Sequence, residues 1–296
     1  MCAVQNIRVA ASAAVLLAVL VAVAPSTRSA DGPTDAPTGF VVRSNGFAEE
    51  FCANQAAFAF SPNSPPIAPE DCRFETAAEE FTGPEGFADG LGPIFNAAGC
   101  GECHLVPMLG GSSQIVEKRA GFFDGRDFFD HPGGSLIHDR ATELHLQELL
   151  MPAHTNVTAF RATISVLGDG FVEAIDDETL EAIRRRQPSE MRGLLIQVPV
   201  LESPGRTAPG RFGWKNQHSS LVSFSADAYK NEMGITSPLD PDEPTSNGRS
   251  VARYDQVPGE PTSTDDDGVD VELFALFMRS TLAPPQDLVL ARTRNA

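Results

Sequence analysis

Basic residues are scarce in this chain: 22 Lys and Arg stand against 40 Asp and Glu, a formal net charge of -18 over 296 residues. That balance excludes a phosphate-neutralising surface, so no nucleic-acid partner is expected, and a basic partner protein would be steered toward the chain. Long apolar runs are scarce as well. After Ala24 none approaches the ~20 residues of a spanning helix, so no transmembrane span is expected in the mature chain. Cysteine is limited to five residues and tryptophan to one. What is present, an apolar fraction of 42%, is enough for one large core or two modest ones.

The first residues speak to compartment. Arg8 precedes an apolar stretch from Val9 to Ala24, and Pro25, Ser26 and Thr27 lead through Arg28 to the small residues Ser29 and Ala30. Residues 1–30 therefore read as a secretory signal peptide, and the mature protein is expected to be periplasmic or otherwise exported. Cys2 lies ahead of the apolar stretch, the wrong place for a lipoprotein cysteine. Cys52, Cys72, Cys100 and Cys103 remain after cleavage. In an oxidising compartment Cys52 and Cys72, which flank a Pro-rich stretch, are expected to form one structural disulfide; two separate buried thiols are the alternative.

Residues 31–82 read as an irregular segment, because Pro and Gly interrupt most apolar runs as far as Phe74. Phe87, Leu91, Ile94 and Phe95 recur at three- and four-residue intervals, which predicts helix or helical turns over 86–98. Further helices are expected at Arg140–Leu150, at Asp177–Arg186 behind Asp176, over Ser219–Glu232 and at Val269–Leu282, the last with Val271, Phe274, Phe277 and Met278 on one face and a stop at Pro284 and Pro285. Gln197–Trp214 suggests a short hairpin. Residues 241–268 form a Pro- and Asp-rich loop; Asp265–Asp267 and Gly268 lack an EF-hand register and read as a solvated loop capping the next helix. The fold class expected is mainly α, a cytochrome c-like domain over 83–240 with long loops and a short β-hairpin, followed by a C-terminal helix and tail over 269–296.

The chemistry concentrates in the stretch CGECH, Cys100 to His104. Two thiols one helical turn apart can both reach the vinyl groups of one haem, and the next imidazole can turn onto the iron. A structural zinc site would need two further Cys or His ligands, yet His131 has no paired neighbour and His138 and His145 would stand ~10.5 Å apart on a helix. A thioredoxin-type thiol pair is the stronger rival to haem c, although such a motif follows a buried strand.

Around that motif the chain resembles the di-haem oxidoreductases, exported proteins distantly similar to bacterial di-haem cytochrome c peroxidases. The resemblance is carried by GLGPIFNAAGCGECHLVP (Gly90–Pro107), GGS (Gly110–Ser112), ATISVLGDGFVEAI (Ala162–Ile175), GRFGWKNQHSSLVSFSADAYKNEMGITSPL (Gly210–Leu239) and FMRSTLAPP (Phe277–Pro285). It implies thioether anchors at Cys100 and Cys103 and an axial ligand at His104. In that family a second C-x-x-C-H domain follows the segment like LAPP, whereas this sequence carries no further cysteine. The expected activity is one-electron transfer at a single haem c, with a redox partner protein. A peroxidase-like or sulfur-compound oxidoreductase would need a second haem domain or partner to divide the work, and a haem-free thiol redox protein is the third reading.

Candidates for the opposite face of the iron are Met233, His218, Lys215 and Met108. Each has a plainer role available: core packing for Met233, a surface hydrogen bond for His218, a propionate or acidic neighbour for Lys215, and a position too near His104 for Met108. Trp214 is expected to pack in the core with its N–H satisfied or to lie beside the haem. Arg211, Arg161 and Arg126 are candidates for propionates or for solvent. Glu102 is assigned no role.

Overall fold

The computed structural model describes residues 42–53, 67–255, 257 and 264–284. The expected signal peptide at 1–30 with Cys2, the segment 54–66 between Cys52 and Cys72, and the tail from Pro285 lie outside the described residues. Seven α-helices are present among them: α1 (Phe47–Ala53), α2 (Phe74–Thr82), α3 (Cys100–Cys103), α4 (Asp169–Glu173), α5 (Asp177–Arg186), α6 (Leu221–Ala228) and α7 (Val269–Ser280). Ten short strands accompany them: β1 (Ile94–Phe95), β2 (Val116–Phe123), β3 (Phe128–Asp130), β4 (Leu136–Ile137), β5 (Arg140–Ala141), β6 (Val157–Ala162), β7 (Gln197–Pro199), β8 (Thr207–Pro209), β9 (Thr245–Ser246) and β10 (Arg249–Ser250). The mainly α expectation is corrected by this inventory: 34% of the described residues are helical and 18% extended, a mixed α/β architecture with several small antiparallel sheets.

Helix α7 is the centre of the main core. Val271, Phe274, Phe277 and Met278 are buried as its periodicity requires, but Leu273, Ala275 and Leu276 are buried too. A helix apolar nearly all round must be covered on every side. On α2, Phe74, Ala77 and Phe81 share one face; Phe81 lies 4.4 Å and Phe74 5.8 Å from the Phe277 ring, centroid to centroid. Each such phenylalanine contributes roughly 1.5–3 kcal/mol by leaving water. Leu221, Val222 and Ala226 of α6 and Phe51 of α1 complete the same cluster. Cys52 at the end of α1 is disulfide-bonded to Cys72, just ahead of α2.

The other structural unit is a four-stranded antiparallel sheet on β2. Strand β6 pairs along one edge of β2 from Val116 to Gly121, while β4 and β3 pair in succession along the other. In this register Glu117 faces Arg161 across the strands, and the two form an ion pair at 3.4 Å. Periodicity did not reveal this sheet, because charged residues occupy the half-buried positions of β2.

Two predicted helices are absent. Residues 86–98 form a 3-10 turn (Phe87–Asp89) and then β1, since Gly90 and Gly92 adopt positive φ and Pro93 comes directly after them. Residues 140–150 form β5, paired with β1, and a single 3-10 turn at Leu144–Leu146; of that turn only Leu146 is buried. The helix at Asp177–Arg186, the short hairpin β7–β8 and the helical stretch before Met233 are present as expected. Among Asp265–Asp267 the solvated-loop reading fails at Asp266, which is 7% exposed. Asp267 accepts the Val269 N–H at the start of α7, and Asp265 accepts from the backbone and hydroxyl of Thr236. Among the described residues no helix is long and apolar enough to cross a membrane.

Candidate functional site

The single turn of α3 places Cys100 and Cys103 on one face, with His104 at its end and the His104 N–H bonded to the Cys100 carbonyl at 2.9 Å. Gly99 permits this placement: a Cβ there would lie 2.4 Å from the Gly83 carbonyl oxygen. Glu102, given no role from sequence, has one. Its Oε1 accepts the Ala98 N–H at 3.0 Å and its Oε2 the Arg140 guanidinium at 3.1 Å, so it ties the turn to the chain before it and to β5.

The chain then reverses through 105–112, closed by the bridge between Val106 and Ser112. The His104 Nδ1 donates to the Gly111 carbonyl at 3.2 Å, and the Phe81 ring meets the imidazole edge-on at 5.9 Å. With Nδ1 carrying the proton, Nε2 keeps its lone pair. Burial pushes the imidazole down to about 4, against smaller opposing pulls from the Gly111 and Ile164 carbonyls, so it is neutral near pH 7. Burial pushes the Cys103 thiol up to about 11, with Glu232 and Glu102 adding to the effect, and pushes Cys100 up further, with Glu85 the main charged contributor. Neither thiol has the electropositive surroundings that activate a redox cysteine, and the two are free rather than bonded to each other.

All three residues open onto one mostly apolar cavity of about 290 Å³. Of the sequence candidates, Met233, His218, Trp214, Arg161 and Arg211 also line it. Met108, Lys215 and Arg126 do not. Met108 sits in the reversal beside His104, where its carbonyl accepts from Gly111; Lys215 is exposed; Arg126 is exposed at the β2–β3 turn, 3.6 Å from Asp127. The His218 Nε2 is 3.2 Å from the Asp227 carboxylate. Trp214 has its N–H satisfied by the Ala162 carbonyl at 3.0 Å, but its ring is 47% exposed at the cavity rim rather than in the core.

The arginines differ in their freedom. Arg161 pairs with Glu117, as does Arg119 at 2.7 Å, a residue sequence reasoning passed over. Arg211 donates to the carbonyls of Val172, Glu173 and Ile175 and to Asp177, closing the end of α4. Its Nε is buried without a partner, and so is the Ser225 Oγ of α6; both residues belong to the cavity wall. Unmatched buried polar atoms cost roughly 1–3 kcal/mol each, so these two are open to a polar ligand.

Opposite α3, helix α6 continues into a π turn, Tyr229–Met233. The last carbonyls of a helix have no partner within it, and π turns recur at functional sites. Here the carbonyls of the last three residues are each claimed from outside. The Asn231 oxygen faces His138 Nε2 at 2.9 Å, the Glu232 oxygen accepts from Asn96 and Ala97 N–H at 2.7 and 3.2 Å, and the Met233 oxygen accepts from Gly92 N–H at 2.8 Å. The segment that leads into CGECH is thereby bonded to the segment that carries Met233. That connection gives a physical reason for GLGPIFNAAGCGECH and KNEMG to occur in one chain, separated by more than a hundred residues.

Sequence reasoning also missed Glu232, which lines the cavity and is pushed up to about 7 by burial, against the Asn96 hydrogen bond and with Glu117 repelling it. Asp169, also on the wall, is pushed up to about 6 by burial and Glu173. Met278 lines the cavity from α7. A burial pattern alone could not have separated Met278 from its core neighbours. His138 and His145 do not converge: His138 pairs with Glu148, and His145 meets the Tyr254 ring edge-on at 4.8 Å. Among the described residues, the groups of three or more potential metal ligands that converge are carboxylates only, Glu80–Glu85–Asp270 and Glu243–Asp255–Asp265, with no cysteine or histidine among them. A zinc-type arrangement around CGECH is therefore not supported.

No protein-family model, no curated protein and no solved structure matches this chain.

Proposed function

We propose that this chain is an exported c-type haem protein of the di-haem oxidoreductase type that carries single electrons, with Cys100 and Cys103 as thioether anchors, His104 as one axial ligand and Met233 as the other. One observation carries the reading: two neutral free thiols and an imidazole with its Nδ1 tied to a carbonyl open onto the same apolar cavity that receives a methionine. The donor set fits haem c. The partnerless Arg211 Nε and Ser225 Oγ would supply donors for the propionates, with Arg161 and Arg119, held by Glu117, on the same wall. Of the two leading candidates for the second axial position, His218 has its Nε2 engaged by Asp227, which favours Met233.

A bound haem would supply a one-electron iron couple. The protein's own residues do the rest. Gly111 and Phe81 fix the plane of the imidazole and the apolar walls exclude water; a methionine sulfur held to the iron in such a buried site would raise its potential. The charge of -18 suits a basic redox partner in the periplasm or a comparable exported location,.

Expression with a cytochrome c maturation system tests this directly. The mature protein should be red, should retain haem after denaturation in acid and organic solvent, and should lose covalent haem in Cys100→Ser/Cys103→Ser. Colourless protein with a reducible Cys100–Cys103 disulfide would refute the proposal and favour a thiol redox protein.

A further inference from the structure

We infer that the buried His138–Glu148 pair positions the wall of the cavity opposite His104, holding the π turn so that Met233 reaches the iron. The inference rests on the haem reading above.

Both side chains are buried, His138 at 4% and Glu148 at 6% exposure. A single carboxylate oxygen, Glu148 Oε2, accepts the His138 backbone N–H at 2.7 Å and faces its Nδ1 at 2.9 Å. On the far side of the ring, Nε2 faces the Asn231 carbonyl at 2.9 Å. The ring thus lies between two acceptor groups, one at each nitrogen. Glu148 is held in turn by the Asn247 N–H on its other oxygen at 2.9 Å, and the His138 carbonyl by the Gln147 side chain at 3.0 Å. A line of hydrogen bonds therefore runs from the β9–β10 turn through Glu148 and His138 to the π turn.

Burying such a pair is costly, and apolar residues of the same volume would often serve stability as well or better. What an apolar pair could not do is bond to a specific carbonyl. Of the three carbonyls at the end of the π turn that lack helical partners, those of Glu232 and Met233 are held by backbone N–H groups of residues 92–97. Asn231 alone is held by a side chain. Its own amide donates to the Asp227 carbonyl at 2.9 Å and carboxylate at 3.0 Å, and that carboxylate faces His218. His138 thus acts on the part of the turn that sets the direction of Met233, while the same network keeps His218 engaged elsewhere.

The test uses holoprotein matured with haem, and three measurements on wild type, His138→Ala, Glu148→Gln and Met233→Leu: covalent haem content, the near-infrared sulfur-to-iron charge-transfer band, and the midpoint potential. His138→Ala is expected to keep full covalent haem yet shift the sulfur ligation equilibrium about tenfold toward the unligated form, with a weaker band and a lower potential. Met233→Leu should abolish the band, and adding His138→Ala to it should lower the potential no further. If His138→Ala does not fold, Glu148→Gln, which keeps volume but removes the charge, should show the same loss in part. A band of full intensity in the folded variants, with only thermal stability reduced, would overturn the positioning role and leave the haem reading intact. Wild-type holoprotein that lacks the band would overturn both the role and Met233 ligation; wild type without covalent haem would overturn the function itself.

Discussion

Gly111 shows how much of the site depends on a single absent side chain. A Cβ at this position would lie 2.3 Å from the Val106 carbonyl oxygen and 2.7 Å from that of Met108. The reversal that brings the Gly111 carbonyl to His104 could not close unchanged. Gly111→Ala is expected to lower stability by roughly 1–3 kcal/mol, the usual range for forcing extra volume into a packed site, and to reduce haem incorporation, read by urea unfolding and haem content on one preparation. Glu102 gives the contrasting case. Its carboxylate acts as a strap, so Glu102→Ala should cost about 0.5–1.5 kcal/mol in urea unfolding, as loss of a hydrogen bond does, and leave covalent haem content unchanged. From the sequence Glu102 was only the filler between two cysteines, since a role realised through Ala98 and Arg140 leaves no trace in the motif itself.

Among the elements, α7 bears most weight. Phe277 is fully buried, stacks on Phe74 and packs at a tilt against Phe81, which also braces His104. Phe277→Ala should destabilise the protein by about 3–5 kcal/mol, measured as a lower urea midpoint at unchanged m-value. Helices α5 and α7 and the hairpin β7–β8 were legible because an apolar period or a turn signal dominates each stretch. Strands β2 and β6 were not. Glu117, Arg119 and Arg161 face the cavity and satisfy one another there, so the alternation that marks an amphipathic strand is written in charges. At Phe87–Phe95 the helical spacing was misleading, because Gly90 and Gly92 take conformations that end a helix. At Arg140–Leu150 it failed for another reason: Leu144 and Leu149 are 91% and 69% exposed, and beside Leu146 the buried groups nearby are the ionisable His138 and Glu148. The motif itself was readable in full. The residues facing it, drawn from β2, α4, α6 and α7, depend on topology that a motif cannot encode.

At the scale of the molecule, the acidity recorded in the composition becomes local. Glu80 and Glu85 are each pushed up to about 7, chiefly by burial, with Asp270 the leading charged neighbour of Glu80 and also raising Glu85. These groups bind a proton more tightly folded than unfolded, so their contribution favours the folded state at low pH and is lost as pH rises from the ordinary carboxylate range through about 7. A Glu80→Gln/Glu85→Gln variant should therefore gain stability relative to wild type between pH 5 and pH 8, measured by urea unfolding at each pH. The Cys52–Cys72 bridge acts at the same scale. It closes a loop of 20 residues, for which the chain-entropy relation gives roughly 3 kcal/mol; Cys52→Ser/Cys72→Ser should lose about that much without altering haem content.

The π turn also puts a particular limit on this chain's evolution. It holds one residue more than an α-helix would fit into the same rise. Deleting any residue of Tyr229–Met233 would return α6 to ordinary phase and swing the chain beyond the turn by about 100° around the helix axis. Sequences descended from this one can therefore exchange residues in the turn far more readily than they can lose one, and the length of the segment between Ser220, the α6 cap, and Gly234, where the backbone reverses at φ 77°, should vary less than its composition.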